Sequence, residues 1–176
     1  MQGGETIDLA SKIRSIPDFP KKGIVFRDIM PLLQDPVALR QTIERIAEYG
    51  SGRHVDLVFG AEARGFILGA AVAYALGAGF VCARKPGKLP WRTVAAEYDL
   101  EYGTDKLEVH EDAIAPGMNV LVHDDLLATG GTAAAKCELV ERLGGKVVGI
   151  AFIIELADLK GRDKLKPHDV FSLVRY

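Results

Sequence analysis

Val120-Leu121-Val122-His123-Asp124-Asp125-Leu126-Leu127-Ala128-Thr129-Gly130-Gly131-Thr132 is the stretch around which the rest of the chain is organised. An apolar strand runs into two adjacent carboxylates, a loop of small and hydroxyl-bearing residues follows, and a helix opens at Ala133. Gly130 and Gly131 let the backbone curl so that successive N–H groups converge on one anion. The helix start adds free N–H donors and the positive end of its dipole. Thr129 and Thr132 add hydroxyls, so Ala128 to Thr132 reads as a cradle for one phosphate. Asp124 and Asp125 suit the two cis hydroxyls of a ribose, because carboxylates accept hydrogen bonds from a diol. The whole reads as a ribose 5-phosphate site at the C-terminal end of a strand, where open α/β sheets bind ligands. No Gly-Lys-Ser/Thr follows and no Gly-x-Gly-x-x-Gly is present, so it is neither a Walker loop nor the dinucleotide fingerprint.

Working outward, Gly144-Gly145 stops that helix near Leu143, with Cys137, Val140 and Leu143 facing inward, and Lys146 to Ile154 forms the last long strand. A further strand is expected at Val170 to Val174. Upstream, Val55 to Phe59 reads as a strand, Gly60 to Gly65 as a loop, and Phe66 to Leu76 as a helix apolar nearly all round and hence buried. Phe80 to Ala83 follows as a strand, and this β-α-β order implies a parallel sheet with a right-handed crossover. Between the two halves, Thr93 to Leu100 and Lys106 to Glu111 read as an inserted antiparallel hairpin. Asp35-Pro36 starts a helix as N-cap and first helical position, with Leu39, Ile43, Ile46 and Ala47 as its stripe and Gly50 and Gly52 as its end. Thr6 is expected to cap a first helix that turns Ala10, Ile13 and Ile16 inward, before a Pro17–Gly23 turn and an extended Ile24–Ile29.

The expected fold is α/β: a Rossmann-like, mostly parallel central sheet with flanking helices, a flexible hairpin over 93–111 and a small N-terminal hood over 1–35. At 176 residues the chain suits a single domain, 1–176. Its hydrophobic share of 48% and charged share of 26% are those of a globular protein. A net charge of −2 supplies no basic field for nucleic acid. The longest apolar run, Phe66 to Phe80, is broken by glycines and shorter than the ~20 residues of a membrane helix, and no basic-then-apolar leader is visible. No membrane partner is expected. Cys82 and Cys137 lie in apolar segments and read as buried thiols of a reducing compartment, consistent with the cytoplasm. The four histidines show no metal-ligand spacing.

The 120–132 stretch resembles the phosphoribosyl pyrophosphate (PRPP) motif of the type I phosphoribosyltransferases. From about Ile13 to Tyr176 the chain is similar to the adenine phosphoribosyltransferase family, including Leu159-Lys160-Gly161-Arg162 and Phe171-Ser172-Leu173. That resemblance implies a second anion site, for pyrophosphate, at Gly60-Ala61-Glu62-Ala63-Arg64-Gly65, with Arg64 as the fork for phosphate oxygens. It places a cis peptide at Glu62–Ala63. In Arg84-Lys85-Pro86-Gly87-Lys88-Leu89-Pro90, Arg84 and Lys88 match a dimer-interface loop whose Arg reaches the pyrophosphate; Trp91-Arg92 then departs from the Gly-Pro of mammalian members.

Phe26 alone reads as core. The resemblance instead stacks it on adenine, with the backbone at Val25 and Arg27 reading the base edge. Adenine and hypoxanthine differ there by a reversed donor and acceptor, so the wrong base leaves buried groups unpaired. Glu101 is implied as a proton shuttle on a closing loop and Tyr102 as its cover. The implied catalytic groups are thus Glu101, Arg64 and Arg84. The implied reaction joins adenine to PRPP, giving AMP and pyrophosphate, with Mg²⁺ carried by PRPP rather than by protein ligands, in a homodimer. Two other readings stay open: transfer to xanthine, guanine or orotate, and a regulator that binds PRPP without turnover.

Overall fold

The structure, a computed structural model, describes residues 6–100 and 103–176. Five parallel strands form its centre in the order β4-β3-β7-β8-β9: β3 (Leu57–Ala61), β4 (Gly79–Ala83), β7 (Asn119–Leu127), β8 (Lys146–Glu155) and β9 (Val170–Arg175). Every neighbour pair in this sheet is parallel, which is why β8 and the 120–122 half of β7 read as apolar runs: both faces are covered.

On one face, α2 (Pro36–Ser51) and α3 (Arg64–Leu76) pack over Val58, Leu121, Ala151 and Ile153. On the other, α4 (Gly131–Arg142) and the hairpin of β5 (Thr93–Leu100) and β6 (Gly103–His110) cover Phe59, Val120, Val122, Ile150 and Phe152. Asp35 caps α2, its Oδ1 accepting from Val37 N and Ala38 N, with Pro36 at the first helical position as expected. The buried line of α2 is Ala38, Thr42, Ile46 and Gly50, one step round from the predicted stripe. Gly50 lies within the helix, and the Leu76 side chain occupies the space a Cβ there would need.

Three expectations are corrected. The first helix is a single 3-10 turn, Leu9–Lys12, capped by Asp8 and not by Thr6. Ile16 lies instead in β1 (Arg14–Pro17), which pairs antiparallel with β2 (Val25–Asp28), so the hood is a small ribbon. A short helix, α1 (Met30–Gln34), follows β2; its five residues are too few to show periodicity. Finally, α3 is not buried all round: Tyr74 is 90% exposed and Ile67 49%. Apolar composition alone does not tell a helix inside a sheet layer from one with an uncovered apolar face.

Candidate active site

β7 and β3 lie side by side and end at the same edge of the sheet, so the loops that follow them meet there. They line a cavity of about 300 Å³ bounded by Glu62, Arg64, Tyr98, Asp124, Asp125 and the whole segment from Ala128 to Ala133. Gly130 has a φ of +83° and forms the N-cap of α4; its carbonyl accepts from Ala134 N. A Cβ on Gly130 would lie 2.5 Å from the carbonyl oxygen of Gly161. The cradle is therefore curled by a left-handed glycine and backed by a second glycine from the distant 161–165 turn. Ala128, Thr129, Gly130, Gly131 and Thr132 are brought together as the spacing predicted, with the first-turn N–H groups of α4 at the cavity.

The two carboxylates are held differently. Asp124 Oδ2 accepts from Lys136 Nζ at 2.8 Å, and Oδ1 accepts from Asp125 N at 3.0 Å. Burial alone would push the Asp124 carboxyl up, but the Lys136 ammonium outweighs it and holds this group below the usual carboxylate range. Asp125 pairs with the Arg64 guanidinium. Burial, and then the neighbouring Asp124 charge, nevertheless raise Asp125 well above that range. Beneath them, His123 is fully buried, with Nδ1 3.0 Å from Ala151 O, and burial drives its pKa down to about 4. It is a neutral imidazole in the floor of the site.

The second loop carries its charges already paired. The Glu62–Ala63 peptide is cis. Glu62 Oε1 accepts from Lys85 N at 2.7 Å and Oε2 from Arg84 Nε at 2.9 Å; the Lys85 amide and then the Arg84 guanidinium hold its carboxyl below the ordinary value. The carboxylate of Glu62 is thus committed to positioning Arg84. Arg84 Nη1 also reaches the Lys88 carbonyl at 3.4 Å, while the Lys88 side chain is exposed.

On the hood, Phe26 stands edge-on to Phe19, centroids 5.3 Å apart, and the Arg64 guanidinium lies 5.6 Å from its ring. Val25 is exposed beside it. The Arg27 guanidinium stacks 3.7 Å over the Tyr176 ring. Glu101 and Tyr102 lie outside the described residues.

Two cavity neighbours escaped the sequence reading. Tyr98, from the hairpin, lines the cradle with its hydroxyl 3.3 Å from Asp105 Oδ2; nothing local marks it. Lys136 does carry a signal. Ala133, Lys136, Cys137 and Val140 share the i, i+3, i+4, i+7 spacing of the buried face, and a lysine there asks for a carboxylate.

Comparison with known proteins gives a consistent result. The phosphoribosyl transferase domain family matches residues 33–174. The chain is 60% identical over 170 residues to adenine phosphoribosyltransferase of Clostridium perfringens, covering 97% of this chain and 99% of that one. A crystal structure of adenine phosphoribosyltransferase from Thermoanaerobacter pseudethanolicus superposes with a TM-score of 0.93 at 54% identity, covering 96% and 98% of the two chains. That of the Giardia lamblia enzyme complexed with 9-deazaadenine gives 0.91 at 41% identity, covering 96% of each.

Proposed function

The chain belongs to the adenine phosphoribosyltransferase family, and from that membership and the site's geometry we infer that it transfers the 5-phosphoribosyl group of PRPP to adenine, giving AMP and pyrophosphate, the salvage reaction for this purine. The observation that carries the reading is the single cavity in which a phosphate cradle, a pair of carboxylates and Arg64 face one another.

In the reading this supports, Ala128 to Thr132 bind the 5-phosphate through backbone N–H groups and hydroxyls. Asp124 and Asp125 accept from the ribose hydroxyls. The bond from the anomeric carbon to pyrophosphate loosens, the sugar becomes oxocarbenium-like, and a ring nitrogen of adenine attacks the opposite face, as in inverting glycoside transfer. Arg64 turns from Asp125 to the departing pyrophosphate, joined by Arg84 and Lys88, and placing cations where charge develops lowers the barrier. Phe26 stacks on the base between Val25 and Arg27, and Glu101 shuttles the proton under the cover of Tyr102.

Mg²⁺ fits the site as a passenger on PRPP: Asp124 and Asp125 are already held by Lys136 and Arg64, which suits an ion that keeps its waters rather than one caged by protein. When bound it neutralises pyrophosphate charge.

A homodimer is part of the same proposal. The exposed apolar side of α3 at Ile67 and Tyr74 supports it, as does an apolar hollow lined by Phe66, Phe80, Val81, Leu89 and His110. Sedimentation should give twice the chain mass. Both cysteines are free, which supports a cytoplasmic setting, and among the described residues no helix is long and apolar enough to cross a membrane.

The test is to incubate the protein with PRPP, Mg²⁺ and one base at a time and follow nucleotide formation. AMP from adenine, with little product from hypoxanthine or guanine, is the expected result. Product only from another base would overturn the role of the hood, and bound PRPP without product would mean the cradle serves sensing.

A further inference from the structure

Among the described residues, Lys136 is the only buried lysine, with 0% of its side chain exposed. An ammonium in the interior is costly unless paired and hydrogen-bonded, and an apolar side chain of similar length would fill the same space without that cost. Lys136 spends its donors on the floor of the ribose site: Nζ lies 2.8 Å from Asp124 Oδ2 and 2.8 Å from the His123 carbonyl. With the Asp125 amide on Oδ1, both Asp124 oxygens are tethered while the side chain, 14% exposed, still borders the cavity. Among the described residues, Asp125 is not paired with a buried lysine. Its partner is Arg64, whose side chain is 41% exposed. Two adjacent carboxylates repel, and after burial the Asp124 charge is what raises the Asp125 carboxyl.

We propose that Lys136 is a positioning residue of the donor site: it fixes Asp124 as the standing anion that receives the ribose hydroxyls, so that only Asp125 exchanges its partner when PRPP enters. The inference rests on the PRPP reading above. A carboxylate locked before the substrate arrives loses no rotamer freedom on binding, so the benefit falls on the donor and not on the base.

The experiment compares the full chain with Lys136→Met, Asp124→Asn and the double variant, by steady-state kinetics in both substrates and by calorimetric titration with PRPP. Losing one charge-assisted hydrogen-bonded partner should raise the PRPP KM and Kd of Lys136→Met by about ten- to a hundredfold. The adenine KM and kcat should stay within about threefold, since the proposed reading places the base at Phe26 and the leaving group at Arg64 and Arg84, away from this pair. Adding Lys136→Met to Asp124→Asn should produce no further rise, because Lys136 acts on the donor through Asp124. A folded Lys136→Met with unchanged PRPP affinity would overturn the proposal, as would equal losses for both substrates. If Lys136→Met does not fold, the double variant leaves no charge buried alone, and its comparison with Asp124→Asn decides: equal PRPP affinity supports the proposal and a further loss overturns it. A parent chain that neither binds PRPP nor makes AMP would sink the functional reading and this inference together, whereas a normal parent with a normal Lys136→Met would sink the inference only.

Discussion

Two strand–loop–helix turns, β7 into α4 and β3 into α3, stand side by side at the same edge of the sheet. The first is built from its own residues: a left-handed Gly130, small neighbours, and the open N–H groups of α4. Its loop carries no charge, and its two acids come just before it. The second is assembled from distant ones and arrives with its charges satisfied, Arg64 on Asp125 and Glu62 on Arg84. The first turn thus offers open donors to an anion, and the second is a set of ion pairs that an incoming anion would have to rearrange. The difference suits their proposed roles. The 5-phosphate is the same group before and after reaction, whereas pyrophosphate gains charge as it leaves, and groups that engage then act on the rate.

Four experiments test this contrast. Arg64→Ala should cost most, lowering kcat about 10²–10³-fold, as loss of one electrostatic stabiliser does, while AMP affinity changes only a few-fold. An equal loss of AMP binding would mean the two turns are not functionally distinct.

Next comes acid, which should strike the floor of the first turn. Burial lowers the His123 pKa from 6.5 to about 4. A depressed histidine contributes stability that is complete above the unfolded value and disappears as pH falls through the folded one, because the unfolded chain binds the proton first. Between pH 6.5 and 4 His123 should therefore account for about 3 kcal/mol of lost stability. Asp125, raised chiefly by burial, contributes in the opposite sense, being most favourable when protonated. Denaturant unfolding of His123→Asn and the parent across this range isolates the histidine; superimposable pH profiles would refute it.

Gly130→Ala should come third. The strained φ and the approach to Gly161 would displace the cradle, raising the PRPP KM and weakening AMP binding together by about ten- to a hundredfold, the size of one or two lost hydrogen bonds to a charged group. The smallest effect is expected from Glu62→Gln. It frees Arg84 from a partly exposed ion pair, so kcat/KM for PRPP should change by about threefold or less and stability hardly at all. A large loss would show that Glu62 contributes more than orientation.

Most of the sheet was legible because its strands are apolar runs bounded by glycine and proline, and the helix starts at Pro36 and near Gly131 carry local signals. The hood was misread. Four-residue strands and a one-turn helix are shorter than the windows in which periodicity shows, and Ile16 fits a helical stripe as well as a strand. Part of the α3 surface was misassigned for a different reason: period 3.6 cannot tell which apolar side meets the sheet and which is left uncovered, as at Ile67 and Tyr74.

The sequence alone reveals the glycine turn at Ala128 to Thr132 and the carboxylates before it, because those groups are contiguous and a glycine turn between a strand and a helix has few conformations. It also determined that the sheet is parallel, since a helix between two strands leaves little other choice. Which charge neutralises which is set by the strand order. Arg64 and Asp125 are 61 residues apart, Glu62 and Arg84 are 22, and each meets only because β3 lies between β4 and β7 in the strand order. The same holds for Tyr98 over the cradle and Gly161 behind it. Local patterns report how a segment satisfies its own backbone, while a side chain's charge partner is set by which strands become neighbours.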